Sequence, residues 1–275
     1  MSLLEGRKTL LLIGGGNMGG AMLRSWVHSQ VNGVSFIVLE PRPSDWLINL
    51  SKKGLVELNP SKIINIIDVC VLAIKPQKLE EVLEENCKRI SQKTLIISVV
   101  AGKKFGLFYE FLGKDQPIIR VMPNTPVSIN QGMSVIVVGR SIDQSYIDFT
   151  KKLFNSLGKT IMLKNEKDID AVTAISGSGP AYVFNFIENL SEIGEELGLS
   201  SEVARKLSIQ TVLGASLLAS SSDLDVGSLR KNVTSPGGTT EAALKVLMDG
   251  KVGWKPIIKE AILAAHVKSW KLASN

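Results

Sequence analysis

Short apolar, β-branched runs recur along the first part of the chain at Thr9 to Ile13, Val34 to Leu39, Val69 to Ile74, Leu95 to Val99 and Ile118 to Met122. Stretches of helical character separate them. Strand, helix and strand in that rhythm predict successive βαβ units and a parallel sheet. Ser134 to Val138 and Thr160 to Leu163 read as two more strands that complete or edge the sheet. Beyond them the two-residue alternation stops and a helical periodicity takes over, across Ile169 to Leu197, Ser200 to Ala219, Thr239 to Met248 and Pro256 to Lys271.

Asp168, Ser200 and Ser235 stand where N-caps belong, and Gly198 and Gly250 where helices should stop. The run Ser220 to Ser222 reads as a loop. These signals place a boundary near residue 164. They predict an α/β, Rossmann-type dinucleotide-binding domain over 1–164, followed by an all-helical dimerisation and substrate domain over 165–275. The helical half carries more apolar faces than so short a segment can bury alone, so part of them should be covered by a second copy of the chain.

Composition narrows this picture. At 44 % hydrophobic and 21 % charged residues, the 275-residue chain is ordinary for a folded globular protein, neither disordered nor fibrous. The longest apolar stretch, Ile63 to Ile74, is interrupted by Asn65 and Asp68 and is shorter than the roughly 20 residues a bilayer requires. Near the amino terminus only Leu10 to Ile13 is apolar, too little for the core of a secretory signal, so the expected compartment is the cytoplasm. Cys70 and Cys87 match no zinc or redox spacing. The net charge of +6 can steer anions such as a nucleotide and a carboxylate, or reflect scattered solvated lysines. No basic run interleaved with aromatics suggests nucleic acid, and no membrane partner is expected.

Directly after the first strand stands Gly14-Gly15-Gly16-Asn17-Met18-Gly19-Gly20, which contains Gly-x-Gly-x-x-Gly and leads into an amphipathic helix over Met22 to Val27. A pyrophosphate requires close backbone approach and the free N–H groups of a helix start, and this segment offers both. The motif alone is weak; its place between strand and helix makes it strong. Gly14, Gly16, Asn17, Met18 and Gly19 are therefore candidate cofactor-binding residues. Glu40 ends the second strand about 20 residues on, where an acidic side chain can hold ribose hydroxyls and favour NADH. Arg42, two residues further, can instead pair with a 2′-phosphate and favour NADPH. The choice stays open. Ala73-Ile74-Lys75-Pro76-Gln77 and Ser98 to Gly102 end later strands and should line the same groove. Lys75 either faces the cofactor or is a solvated strand-end lysine.

Two further segments carry candidate chemistry. Ser176-Gly177-Ser178-Gly179-Pro180-Ala181 puts glycine and proline inside a helical stretch, where both destabilise; it is a tight packing crossing, a wall of the active site, or both. Thr234-Ser235-Pro236-Gly237-Gly238-Thr239-Thr240-Glu241 precedes a helix and reads as an anion cup, with open N–H groups at Gly238, Thr239 and Thr240, or as an ordinary cap with an early proline. With His28 and His266 the only histidines, a multi-histidine zinc site and a histidine general acid are not expected. A reductase so poor in acid–base groups needs an acceptor that is already electrophilic, and a protonated cyclic imine is one.

Five ordered segments, Ile13 to Gly19, Leu72 to Gln77, Arg120-Val121-Met122-Pro123-Asn124-Thr125-Pro126, Ser176 to Tyr182 and Thr234 to Thr240, resemble the pyrroline-5-carboxylate reductase family, over essentially the whole chain. The resemblance implies reduction of 1-pyrroline-5-carboxylate to L-proline by NADPH or NADH, with the active site at the interface of a homodimer and larger rings possible. It implies that Thr240 hydrogen-bonds the imine nitrogen and relays a proton. Ser235 and the backbone at Gly238, Thr239 and Thr240 would hold the carboxylate, with Glu166 beside the product. Asn232 would contact the nicotinamide side, and Ala73, Lys75, Pro76 and Ala101 would line the cofactor. An asparagine common in the family between the second and third strands corresponds only loosely to Asn59. Glu40-Pro41-Arg42 also departs from the family's small polar or basic residues.

Two rival readings are kept. One is a reductase of a related cyclic imine acid or a 3-hydroxyacid, in the β-hydroxyacid dehydrogenase style; that family's lysine would fall at Val183. The other is a non-catalytic dinucleotide sensor, against which the carboxylate-sized cup at 234–240 argues.

Overall fold

The computed structural model describes residues 6–274 apart from 30, 32, 64, 65 and 141, and not the side chains of 273 and 274. Asn65, one of the two polar interruptions of the longest apolar run, lies outside the described residues, as do residues 1–5 of the expected first domain.

Eight strands form one sheet: β1 (Lys8–Ile13), β2 (Val34–Leu39), β3 (Glu57–Leu58), β4 (Val69–Leu72), β5 (Leu95–Ser98), β6 (Ile118–Met122), β7 (Gly132–Val138) and β8 (Gly158–Leu163). Their order is β3-β2-β1-β4-β5-β6-β7-β8. The first six are parallel, β7 runs antiparallel to β6, and β8 is parallel to β7. The order reverses between β1 and β4, and ligands of such sheets bind at that switch point, outside the carboxyl ends of the strands. The two-residue β3 is too short for period-two alternation to register in the sequence.

Helices α1 (Asn17–His28), α2 (Asp45–Lys52), α3 (Leu79–Asn86), α4 (Phe105–Leu112) and α5 (Gln144–Asn155) accompany the sheet. Two buried clusters hold them. One gathers Leu10, Leu12, Met22, Leu23, Trp26, Val71, Ile97 and Phe154; the other gathers Leu11, Ile13, Leu72, Leu79, Leu83, Phe108 and Ile118. Alternate residues of β1 thus face opposite clusters, as expected when a strand is buried on both sides. Trp26 stacks parallel to Phe36 and meets Phe154 edge-on, while its indole N–H donates to the Leu153 carbonyl at 3.0 Å. α1 starts at Asn17 rather than Met22, because the fingerprint glycines themselves enter the helix: the Gly20 N–H already donates to the Gly16 carbonyl at 2.7 Å.

The remaining helices are α6 (Ile169–Val172), α7 (Gly179–Glu196), α8 (Ser201–Ser221), α9 (Val226–Asn232), α10 (Thr239–Leu247) and α11 (Trp254–Ser274). By compactness the chain divides into residues 1–178 with 265–275, and residues 179–264. The first unit thus takes in Ile169, which is buried with Met122 and Val137 of the sheet. The stretch expected to run as one helix from Ile169 to Leu197 is interrupted by a π-turn over Thr173–Gly177, closed by the Ser178 N–H donating to the Thr173 carbonyl at 2.8 Å.

In the second unit, α7 and α8 pack on one another. Gly194 permits this, since a Cβ there would lie 3.0 Å from that of Ala204. Gly198 ends α7 with φ +94°, and the Leu199 N–H returns to the Gly194 carbonyl at 3.1 Å, a left-handed C-terminal closure. Ser200 caps α8 as expected, accepting from the Val203 N–H. Asp168 makes no side-chain cap, and Ser235 is not the cap of α10; Gly238 holds that position. The serine run at 220–222 is not a loop, since Ser220 and Ser221 finish α8. α9, unforeseen from the sequence, is only seven residues long and follows Asp225, whose carboxylate accepts from the Ser228 N–H at 3.1 Å and hydroxyl at 2.6 Å.

Candidate dinucleotide and carboxylate sites

The three fingerprint glycines do three different jobs. Gly14 leaves β1 with φ +99°, and a Cβ there would collide with the Ala73 carbonyl at the end of β4. Gly19 lies so close beneath the Gly14 carbonyl that no side chain fits between them. Gly16, by contrast, has open space within 4 Å of where a Cβ would stand. Two glycines close the turn against the sheet and helix, and the third leaves the loop's outer edge free for a ligand to approach the backbone. That is the division of labour a pyrophosphate site requires. Asn17 and Met18 open α1, whose first N–H groups cannot be paired within the helix.

Glu40 is held against this loop. One of its carboxylate oxygens, Oε2, accepts from the Gly15 N–H at 2.8 Å and the other, Oε1, from the Arg42 N–H at 3.0 Å. Asn59, in the left-handed region at φ +45°, clamps the same residue from the neighbouring strand end. Its Oδ1 accepts from the Glu40 N–H at 2.9 Å and its Nδ2 donates to the Glu40 carbonyl at 2.8 Å. Asn59 thus serves Glu40 rather than a ribose. The Arg42 side chain is exposed.

Ala73 follows β4 and donates its N–H to the Ile13 carbonyl at 2.9 Å, beside the fingerprint turn. Lys75 is exposed and precedes a single 3₁₀ turn, Pro76–Lys78, that Pro76 begins. Ala101 follows β5 and is half-buried. These residues gather with Gly14 to Gly19 at the carboxyl end of the sheet, around the β1/β4 switch point.

Glu166 is tied to two partners distant in the chain. A single oxygen, Oε1, accepts at 2.7 Å both from Arg120 Nη1 and from the Phe105 N–H. Arg120 on β6 is buried, with 5 % of its side chain exposed, so its charge requires this partner. Lys104, the N-cap residue of α4, makes no side-chain cap bond, and the carboxylate supplies it from across the chain. Glu166 therefore ties β6, α4 and the exit from β8 together. Composition and spacing held no signal for this tie, since its partners lie 46 and 61 residues away.

Asn124, in the Met-Pro-Asn-Thr-Pro segment, was not a candidate site residue. It accepts from the Met133 N–H at 2.8 Å and donates to the Ser176 carbonyl at 3.2 Å, so it fastens the serine–glycine segment to the loop after β6. Gly177 lies there in ordinary contact range of Met122 Sδ, a packing role, whereas Gly179 faces open space.

Asn232, Ser235 and residues 238–240 belong to the second unit. Asn232 ends α9 and is exposed. Gly237 turns with φ +72° and its N–H donates to Glu241 Oε2 at 3.0 Å, so the acidic residue of the first turn braces the loop. The Gly238 N–H is already taken by the Ser235 carbonyl at 3.0 Å, which removes it from the donors expected for the cup. Thr239 and Thr240 open α10, where helix N–H groups have no internal acceptor. Two adjacent N–H groups, the Thr240 hydroxyl and the exposed Ser235 hydroxyl make a donor-rich surface fit for a carboxylate.

A doubly wound sheet of this order, with a glycine turn open at its middle residue and tight at the others, defines a dinucleotide-binding protein of the oxidoreductase type. The comparisons with known proteins agree. Residues 166–272 match the family model for pyrroline-5-carboxylate reductase dimerisation, and residues 9–102 match that for coenzyme F420-dependent NADP oxidoreductases. The pyrroline-5-carboxylate reductase of Glycine max is 36 % identical over 272 residues, 96 % of each chain, and that of Pseudomonas aeruginosa 38 % identical over 208 residues, 76 % of each. Among solved structures, the Coxiella burnetii enzyme superposes with a TM-score of 0.85 at 34 % identity, covering 98 % of this chain and 99 % of the other. The Plasmodium falciparum enzyme, with NADP bound, gives 0.84 at 30 % identity over 97 % and 98 %. The chain belongs to the pyrroline-5-carboxylate reductase family.

Proposed function

We propose that this protein reduces 1-pyrroline-5-carboxylate to L-proline, using NADPH or NADH, as the last step of proline formation. The observation that carries the reading is the glycine turn, in which Gly14 and Gly19 are sterically obligatory and Gly16 is open to a ligand. The chain's membership of the family supports the substrate.

The bound nicotinamide cofactor would supply hydride to the C=N carbon. Residues 14–19 and the start of α1 would hold its pyrophosphate, Glu40 and Arg42 its adenosine end, and Ala73, Lys75, Pro76 and Ala101 its flank, with Asn232 on the nicotinamide side. The N–H groups of Thr239 and Thr240 and the Ser235 hydroxyl would bind the substrate carboxylate and so fix the ring. Gly238 would shape that loop through its backbone, its N–H being engaged by Ser235. The Thr240 hydroxyl would hydrogen-bond the ring nitrogen, donating to the neutral imine and accepting from its N–H once protonated, and so relay the proton that makes the imine electrophilic where hydride arrives. Glu166 would stand beside the product, held in place by Arg120 and the Phe105 N–H.

The protein would work as a homodimer through the helical region, and rings of dimers are compatible with it. The support is the exposure of Phe184, Ile193, Leu213, Leu217 and Ile257 on α7, α8 and α11, apolar side chains left uncovered in a single chain. The cytoplasm is the proposed compartment, to which two free cysteines are suited.

The test is oxidation of NADH and of NADPH, followed separately by absorbance, with pyrroline-5-carboxylate and with a six-membered cyclic imine acid. Turnover of the five-membered ring should dominate, and Thr240→Ala should lower kcat/KM about 100-fold or more, the usual scale for a positioned proton donor. Folded protein that oxidises neither cofactor would sink the assignment in favour of a dinucleotide sensor.

A further inference from the structure

Resting on the reductase reading, we infer that Glu40 is the cofactor-selecting residue and sets the enzyme toward NADH, by holding a fixed negative charge where a 2′-phosphate would lie.

In sheets of this order an acidic side chain at the end of the second strand meets the adenosine ribose hydroxyls, and a phosphate there is accepted only where the acid is absent or turned away. Glu40 is held in place. Its two carboxylate oxygens are each engaged by a backbone N–H, Gly15 at 2.8 Å and Arg42 at 3.0 Å. Its own backbone N–H and carbonyl are both taken by the Asn59 side chain, at 2.9 and 2.8 Å. A Cβ on Gly15 would lie 3.3 Å from that of Glu40, so the acid sits directly on the phosphate-binding turn. Four hydrogen bonds thus fix both ends of the residue before any ligand arrives. Each carboxylate oxygen keeps lone pairs for ribose hydroxyls.

Selection here is a difference between two affinities, and a fixed like charge acts against one ligand only. Arg42, two residues on, opposes this. Its backbone N–H supports Glu40, and its exposed guanidinium would have to offset a carboxylate anchored nearer the turn.

The test is equilibrium binding of NADH and of NADPH to the full-length protein without substrate, read by cofactor fluorescence. A second titration uses ADP against its 2′-phosphorylated counterpart as displacers. The wild type should bind NADH at least about tenfold more tightly, the scale of one charge mismatch, and ADP should displace NADH where the 2′-phosphorylated form does not. Glu40→Gln, which retains an oxygen for the Gly15 N–H, should bring the two affinities together. Tighter NADPH binding by the wild type, lost in Arg42→Ala, would overturn the inference and assign selection to Arg42; so would an NADH preference that Glu40→Gln leaves unchanged. Binding of neither cofactor would instead remove the reductase reading itself. The displacement arm uses unaltered protein, so it decides the matter even if Glu40→Gln does not fold.

Discussion

Single residues in the glycine turn separate folding from binding. Alanine at Gly16 adds a methyl group into open space, so it should leave Tm within a degree or two while weakening cofactor binding by about tenfold or more, since backbone approach is what the position provides. Alanine at Gly19 would drive a methyl group into the Gly14 carbonyl and should lower both Tm and soluble yield. Paired thermal melts and fluorescence titrations would tell these outcomes apart; equal losses of stability would refute the assigned roles. The two thiols offer another contrast at this scale. Burial pushes the Cys70 thiol up to about 12, while Cys87 is half-buried and donates only to the Glu84 carbonyl. At pH 8 roughly one Cys70 in ten thousand would be thiolate, so the native protein should react with one equivalent of a thiol reagent and the unfolded protein with two.

Between elements, the Arg120–Glu166 pair is the connection most open to test. Glu166→Leu strands a buried guanidinium and should cost about 3 kcal/mol, measured by urea unfolding. Joint replacement by Arg120→Leu with Glu166→Leu should be milder than the single change, because no charge is then left unpaired. If the single variant kept full stability and lost only substrate affinity, Glu166 would be a substrate ligand and not a tie. One helix start and one turn between helices respond to pH in a defined sense. Asp225 is held below the usual carboxylate value of 3.8 by the Ser228 hydroxyl and N–H, and Asp249 by the N–H groups of Val252 and Lys251. A carboxylate lowered in the folded state contributes stability that is fully present above its unfolded value and is lost as pH falls through the folded one. Stability should therefore decline below about pH 4, and Asp225→Asn should make that decline shallower. At this scale the sequence was legible wherever apolar periodicity ran for several residues, as in β1, β2, α8 and α11. It failed at β3 and α9, which are too short to show a period, and at the π-turn before α7, where the ring of hydrogen bonds shifts by one residue without any change in apolar spacing.

At the scale of the whole molecule, the uncovered apolar side chains of α7 and α8 call for a partner of the same kind. Leu213→Glu with Leu217→Glu places charges on one face of α8, where the two leucines are 48 % and 58 % exposed in the single chain. Sedimentation should show the wild type as a dimer or larger and this variant shifted to monomer with reduced activity. A monomeric, fully active wild type would remove the proposed interface.

The linear order of residues by itself determined the two-part organisation, the identity and place of the glycine turn, and the donor-rich segment before α10. These are local matters: strand and helix periods, a turn that admits only glycine, and N–H groups a helix start cannot pair. The tertiary structure alone decided what each candidate side chain spends its hydrogen bonds on. Asn59 closes on Glu40 instead of reaching for a ribose, Glu166 answers a buried arginine, and Gly238 gives its N–H to Ser235. The physical reason is that donors and charges pair with whatever the fold brings near, most stringently the buried Arg120, and for Glu40 and Glu166 such partners stand tens of residues away in the chain.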